Sequence, residues 1–456
     1  MNLRVTFAIL ACRAARLLLR VLRRGGTAMP GKAAILICPD LLGRLSPGVE
    51  TVLVTGTNGK TTSARMLEQL FIDAEKPYFS NKSGSNLIQG ITAEFAQNAT
   101  LRGRPKKRFA VIECDEAASK RVCAYVRPKV MLLTNVFRDQ LDRYGEVSAT
   151  LQNIKIGVQN AADAILCLNA DDSLSASIAD EVPNKVVFYG VDTEIYAQRV
   201  PELSDAAHCI RCKAEYQYDY VTYGHLGGFR CPNCGYARRE PDVAVTAVLS
   251  QSEDAQTVSL RAFGEETTLC INIPGGYNIY NAAGTVAAAL AMGFTLEQAK
   301  AAVAGFSCGF GRMEKLMLGE CPVRIILVKN PAGCNQVLNY LSNTQGDALF
   351  AVCLNDELAD GTDISWIWDV RFEQLSALGA RLKGVLISGK RADDLAVRLK
   401  YAGLSGEKLR VVRSFGQLLD IVKSQTAPCT IMPTYTAMLQ LRGKLSRDYG
   451  LKEFWE

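Results

Sequence analysis

Histidine is almost missing from this chain: two residues in 456, His208 and His225. A mechanism in which a histidine base activates a serine or cysteine nucleophile therefore has little to work with inside this chain. Long apolar runs are lacking too. The longest uncharged run near the N-terminus is Val5 to Cys12, far short of the roughly 20 residues a membrane-spanning helix needs. Arginines at 13, 16, 20, 23 and 24 break up what a signal peptide would keep apolar. Nothing else in the sequence is long and apolar enough to cross a bilayer. Strong charge of one sign is absent as well. The net charge is +6, and much of it sits in the first two dozen residues, so it carries no signature of nucleic-acid binding. Repeats and low-complexity tracts are not found. What remains is 48% hydrophobic and 21% charged, a globular balance at a length that suits two or three domains with ample core.

Cysteine is plentiful, at fifteen, but most of it lies in apolar segments such as Ile165-Leu166-Cys167-Leu168. Buried thiols in a reducing cytoplasm explain that better than a disulfide framework. Four are different. Cys209-x-x-Cys212 is followed, eighteen residues on, by Cys231-x-x-Cys234. Thiolates paired two apart on tight turns and joined by a short hairpin make a tetrahedral S₄ site. Tyr216, Tyr218, Tyr220, Tyr223 and Phe229 between them suit short strands. The expectation is a zinc ribbon with every ligand place filled, hence a structural Zn²⁺ rather than a catalytic one.

The strongest signal is Thr51-Val52-Leu53-Val54-Thr55-Gly56-Thr57-Asn58-Gly59-Lys60-Thr61-Thr62. A short apolar run ends in a glycine-bearing turn and then in residues able to start a helix, the order of a phosphate-binding loop. The general pattern wants a glycine where this chain has Val54, so the match is to the shorter form T-G-T-x-G-K-T-T. Gly56 and Gly59 let backbone N–H groups approach phosphate oxygens. Lys60 can reach the β/γ-phosphates, Thr61 can hold Mg²⁺, and the helix N-terminus favours the anion. Gly56, Thr57, Asn58, Gly59, Lys60, Thr61 and Thr62 are accordingly the expected ATP/phosphate-binding residues.

Further strands of four to six apolar residues follow at Phe109–Ile112, Val130–Asn135 and Ala164–Asn169, each with acids at its C-terminal end. That predicts a parallel α/β sheet with its site at the strand ends. Glu113 is the best placed carboxylate for Mg²⁺, which takes one or two carboxylates plus phosphate oxygens. Strand alternation resumes at Val243–Leu249 and Val258–Phe263, then Pro274-Gly275-Gly276 opens an alanine-rich helix. A second doubly wound α/β series has strands at Val323–Val328, Ala348–Leu354, Val385–Ile387 and Leu409–Val412. Its densest polar turn is Asn355 to Asp363. The expected division is 1–45, a basic amphipathic helix and linker; 46–312, an ATP-binding domain with the ribbon inserted at about 200–242; and 313–456. The N-terminal helix suits an anionic membrane surface or a partner, or else packs on its own protein.

The phosphate loop, followed in order by Glu113, Asn278-x-x-Asn281 and Gly311-Arg312-x-Glu314, resembles the Mur ligases. These ATP-dependent enzymes add amino acids to the peptidoglycan precursor through an acyl phosphate. The likeness covers about residues 50 to 456. It implies that Lys60, Thr61 and Glu113 serve phosphate and Mg²⁺, with Asn281 on the adenine, Arg312 on the nucleotide and Asn278 among the ATP-binding residues. Lys155, fifteen residues after Gln140, falls where those ligases carry a carbamylated lysine, although they have histidine at the position of Gln140. The loop begins too early to leave room for a UDP-sugar domain, and a ribbon interrupts the central domain.

Those two features, with the stretches Thr134–Gly145, Ala359–Asp369 and Pro433–Met438, resemble the MurT family, the ATP-using subunits of lipid II isoglutaminyl synthases. The resemblance implies amidation of the α-carboxyl of D-glutamate in lipid II by a carbon–nitrogen ligase. Ammonia would come from a GatD-type glutaminase in a heterodimer, at the cytoplasmic face of the membrane. It also implies that an aspartate here completes the partner's Cys/His triad, Asp360 favoured over Asp363, with Asp356 the third choice. Two rivals stay open: a ligase of the folylpolyglutamate synthase kind that adds an amino acid itself, and an ATP-gated scaffold at the membrane.

Overall fold

The computed structural model describes residues 2–21, 28–81, 85–139, 147–196, 204–307, 312–342, 346–404 and 406–450. They fall into two compact units, one of Met1–Phe137, Glu146–Tyr196 and Ser204–Phe306, the other of Arg138–Gly145, Ala197–Leu203 and Ser307–Glu456.

The first unit is built on a nine-stranded sheet. Its strands are β1 (Glu50–Thr55), β2 (Tyr78–Ser80), β3 (Phe109–Glu113), β4 (Val130–Leu133), β5 (Ile165–Asn169), β6 (Val186–Val191), β9 (Val243–Gln251), β10 (Gln256–Ala262) and β11 (Glu265–Ile271). β7 (Gln217–Tyr223) and β8 (Leu226–Arg230) form a separate hairpin. The order is β11-β10-β9-β6-β5-β4-β1-β3-β2. From β2 to β9 every neighbouring pair is parallel. These strands read as continuous apolar runs because helices cover both faces. β1 lies centrally, Val52 opposite both Val111 and Val130, so Thr55 delivers the phosphate loop between the ends of β3 and β4. The edge differs from a purely parallel sheet: β9, β10 and β11 run antiparallel, and β10 alternates buried and half-buried residues, as one face meets solvent.

The N-terminal segment is no linker. Helices span Leu3–Val21, Ala28–Ile37 and Leu41–Leu45, and Val5, Ala8, Ile9, Cys12, Ala34 and Leu41 join the core beside the helix Ile88–Gln97. Pro30 and Gly31 give this stretch its loop-like composition, but Gly31 is there for contact. A Cβ at Gly31 would lie 1.7 Å from the carbonyl oxygen of Gln89, so only glycine lets the two helices approach that closely. Among the described residues no helix is long and apolar enough to cross a membrane.

The second unit has a six-stranded sheet of β12 (Arg312–Leu318), β13 (Cys321–Ile326), β14 (Ala348–Cys353), β15 (Leu382–Ser388), β16 (Leu409–Val411) and β17 (Cys429–Pro433), in the order β12-β13-β17-β14-β15-β16. Only the β12–β13 pair is antiparallel. Helices such as Pro331–Ser342, Ala392–Tyr401 and Tyr435–Tyr449 connect the strands. Polar loops gather at the C-terminal ends of β14, β15 and β17.

Candidate nucleotide site and four-cysteine centre

The loop after β1 turns through Gly56 at φ +119° and Gly59 at φ +85°, a left-handed conformation that glycine adopts without steric cost. The helix Lys60–Asp73 starts at once, so its first N–H groups face the loop. A Cβ at Gly59 would come within 2.0 Å of Asn281 Oδ1, and one at Gly56 within 2.4 Å of Thr134 Oγ1. The cradle is therefore closed in by side chains from the residue that follows β4 and from the helix Tyr277–Met292.

Lys60 is buried, and its ammonium donates to the carbonyls of Gly56 and Thr57 and to Glu116 Oε1 at 3.0 Å. Thr61 Oγ1 donates to Glu113 Oε2 at 2.8 Å, which sets a hydroxyl and a carboxylate side by side at the mouth of a small cleft also lined by Arg65, Glu68 and Asn81. Asn81 clamps Glu113 by exchanging two bonds with its backbone, 2.9 and 2.6 Å. Thr62 is buried in the first turn.

Three of these residues carry no motif. Asn135 accepts from the Asn58 N–H at 2.9 Å and donates back to the Asn58 carbonyl at 3.1 Å. Glu116 neutralises Lys60, and Asn81 holds Glu113. Each stands at a strand end or helix start near a recognised residue; Asn135 also lies in the stretch Thr134–Gly145, while for Glu116 and Asn81 that position is the signal the sequence offers.

Asn278 and Asn281 are both buried and bonded to each other at 2.9 Å, and Asn281 faces the Gly59 turn rather than standing apart from it. Arg312 opens β12 in the second unit; its side chain, like Gln140 and Gly311, lies outside the described residues. Lys155, on the helix Val147–Gln159, is buried and pairs with Glu181 at 2.6 Å, not with Glu113 or Glu116.

The four sulfurs of Cys209, Cys212, Cys231 and Cys234 lie within 4.8 Å of one another, with Cys209–Cys234 at 3.6 Å and Cys212–Cys231 at 3.4 Å. A tetrahedral zinc with sulfurs at about 2.3 Å has edges of about 3.8 Å, so the cluster fits that ion. The N–H of Ala214, then the Asn233 side chain, lower the Cys212 thiol to about 6, favouring the thiolate a metal needs. Tyr216, Phe229 and Tyr236 form a small core around the cluster.

In the second unit, Asp360 is buried and takes bonds from the Thr436 N–H (2.7 Å) and hydroxyl and from the Glu357 N–H (3.2 Å). Asp363 is half-exposed, and one oxygen accepts from the Ser365 N–H at 2.8 Å. Asp356 pairs with Arg391 at 3.1 Å and Lys390 at 3.4 Å. In the same unit Arg138 pairs with Asp369 and Asp139 with Lys329, at 2.7 and 2.6 Å.

The sequence matches the Mur ligase middle domain over residues 54–289 and the MurT ligase C-terminal domain over 327–438. It is 33% identical to the MurT subunit of the glutamine-hydrolyzing lipid II isoglutaminyl synthase of Streptococcus pneumoniae, across 99% of this chain and 100% of that one. The chain belongs to the MurT family. A MurT subunit of Staphylococcus aureus is 30% identical across 97% of this chain and 98% of its own length. Membership makes the chain an ATP-dependent ligase of the Mur type.

Solved structures agree on fold. A pseudomurein peptide ligase type C of Methanothermus fervidus superposes with TM-score 0.68 at 19% identity, covering 90% of this chain and 81% of that one. A MurF ligase of Thermotoga maritima in complex with ADP gives 0.63 at 14% identity, over 91% and 84%. The residues present fit the groups such a ligase uses. The glycine cradle admits phosphate where a Cβ would not fit, and the Thr61–Glu113 pair offers hard oxygens suited to Mg²⁺.

Proposed function

We propose that this MurT-family chain amidates the α-carboxyl of D-glutamate in the stem peptide of lipid II, giving D-isoglutamine, with ammonia from a GatD-type glutaminase subunit in a heterodimer. The observation that carries the reading is the end-to-end likeness to MurT subunits in a chain whose Lys60, Thr61 and Glu113 meet at one glycine cradle. In this reading an oxygen of the substrate carboxylate attacks the γ-phosphorus of ATP, the bond to the bridging oxygen breaks, and ADP leaves. Ammonia then adds to the acyl carbon, phosphate departs with the acyl oxygen, and the nitrogen loses a proton.

Phosphoryl transfer asks for positioning and charge neutralisation more than for covalent chemistry. The N–H groups of residues 56–62 orient the phosphates. Lys60, held back on Glu116 and two carbonyls, exchanges those partners for β/γ-oxygens. Asn278 and Asn281 brace the cradle, and Arg312 is assigned to the nucleotide. Mg²⁺, when held by Thr61 and Glu113, supplies neutralisation of phosphate charge. A carbamate at Lys155 would require that amine to leave Glu181, its partner at 2.6 Å. Zn²⁺ in the four-cysteine site has a structural role.

For the glutaminase triad the accessible Asp363 suits a partner's histidine better than Asp360, whose two oxygens already serve Thr436. A cytoplasmic, peripheral position at the inner membrane face accords with the lipid-linked substrate. It also accords with the helix Leu3–Val21, which leaves Leu3, Phe7, Leu10, Leu17, Leu18 and Val21 exposed on one stripe.

The test is mass spectrometry of a lipid II-type muropeptide incubated with ATP and the purified chain, first with ammonium, then with glutamine and a GatD-type glutaminase. The expected product is about one mass unit lighter, as –OH becomes –NH₂, and is lost in Lys60→Ala. ATP-dependent addition of a whole amino acid would overturn the proposal in favour of a peptide-forming ligase.

A further inference from the structure

The four-cysteine ribbon is not an appendage. Its hairpin, β7–β8, drives the tip Tyr223-Gly224-His225 into the first unit, where His225 is fully buried. His225 Nε2 lies 3.1 Å from Asp172 Oδ1, and the other oxygen of Asp172 accepts from the Val136 N–H at 2.7 Å. The next residue, Phe137, is gripped from two sides. Tyr223 stacks on its ring at 5.7 Å and 9°, and the His225 imidazole sits 4.4 Å from it.

Phe137 in turn holds the phosphate loop. Its N–H donates to Thr57 Oγ1 at 3.0 Å, and its carbonyl accepts from that hydroxyl at 3.1 Å. The Thr57 N–H donates to the Asn135 carbonyl at 2.9 Å. A second route leaves the same hairpin. The Thr222 hydroxyl is 2.6 Å from Tyr280 Oη, and Tyr280 shares a helix with Asn281, which abuts Gly59. Two contiguous chains of packed and bonded groups thus run from one hairpin to both sides of the cradle.

We infer that the ribbon tip, through His225 and Tyr223, is the positioning element of the phosphate loop, so that metal occupancy at the four cysteines sets the affinity for ATP. Cys231 follows β8 directly, and the Cys209–Cys212 pair precedes β7 by a few residues. Loss of the metal, or oxidation of the thiolates, frees both ends of the hairpin. Thr57 then loses the rigid Phe137 backbone against which it is set. Small displacements matter here, because the cradle binds phosphate only when its N–H groups converge. The ribbon would make nucleotide use depend on a reducing, metal-replete compartment.

The inference rests on reading residues 56–62 as the nucleotide site, and its test separates the two. Binding of a non-hydrolysable ATP analogue with Mg²⁺ is measured by calorimetry on the full chain, alongside hydrogen exchange of residues 52–62 and zinc content. His225→Ala should weaken binding about tenfold and speed exchange in the loop while one zinc stays bound. His225→Gln should restore both, since its amide nitrogen reaches the place of the imidazole Nε2. Zinc removal from the wild type by a chelator should reproduce the His225→Ala result without any substitution, which keeps the test valid if that variant does not fold. Unchanged affinity and loop exchange after zinc removal, in a chain where Lys60→Ala still abolishes binding, would overturn the coupling alone. Unchanged binding in Lys60→Ala as well would overturn the site assignment beneath it.

Discussion

At the scale of single residues, the cradle depends on what is missing from Gly59. Its φ of +85° costs an L-residue roughly 1–2 kcal/mol, and a methyl group there would lie 2.0 Å from Asn281 Oδ1. Gly59→Ala should therefore leave the chain folded but displace the loop, reducing the ATP-dependent rate by about 100-fold. Steady-state kinetics beside a thermal melt separates this from general destabilisation; an unchanged rate would show that the loop does not carry phosphate. The same residue shows where reading from sequence stops. Gly59, Lys60 and Thr61 declare themselves because a phosphate loop is local, built from consecutive residues. Glu116, Asn81 and Asn135 do not, because each acquires its role from a partner dozens of residues away in the chain. Asn281 falls between the two cases: its motif points to the nucleotide, and only the fold brings it against Gly59.

Among elements, the ribbon hairpin shows how an insert is anchored. Besides its buried tip, Arg211 and Arg239 both reach Asp180 at 2.7 Å on the turn after β5's helix Ser173–Ser177. Burial alone would raise the Asp180 carboxyl, but those two guanidiniums outweigh it and hold it below the ordinary range. A carboxylate with a lowered folded pKa contributes stability that is complete above its unfolded value, about 3.9, and is lost as the pH falls through the folded one. Asp180→Asn should then loosen the ribbon at pH 6, seen as faster hydrogen exchange in residues 206–240. The difference from wild type should vanish in acid below that window; a difference independent of pH would show that the pairs do not anchor the hairpin. The expectation of a ribbon came from spacing alone, whereas its docking could not, since Asp180 and Asp172 precede it by dozens of residues. β17 escaped notice for another reason. It has five residues, Cys429 to Pro433, and is flanked by Pro428, so no period can develop, yet it sits in the middle of its sheet.

For the molecule as a whole, the N-terminal helix bears on the membrane position proposed above. Its inner face is core, while the outer stripe exposes Phe7 at 60% and Leu17 at 64%. The first acid in the chain is Asp40, whereas Arg4, Arg13, Arg16, Arg20, Arg23, Arg24 and Lys32 precede it. Arg13 and Arg16 already serve the fold, the first bonding carbonyls of Ala96, Gln97 and Ala99, the second pairing with Glu94. An apolar stripe within such a cationic segment suits an anionic bilayer surface. Co-sedimentation with phosphatidylglycerol vesicles should exceed that with phosphatidylcholine and fall with salt. The double substitution Phe7→Glu and Leu17→Glu, on exposed positions, should abolish it without lowering the melting temperature. Equal binding by the double variant would remove the stripe from any membrane role.

Two largely parallel α/β units, a glycine-bearing loop of phosphate-binding pattern, a four-cysteine cluster and membership of a ligase family were all legible in the sequence itself, because each rests on short-range periodicity or on motifs of adjacent residues. Tertiary structure decided what those parts touch: that the supposed linker is a pair of packed helices, that Lys60 rests on Glu116, and that the hairpin of the four-cysteine cluster closes on the strand end that holds Thr57. Such contacts join residues scores of positions apart, and their energies depend on close packing and matched donors that no local pattern encodes.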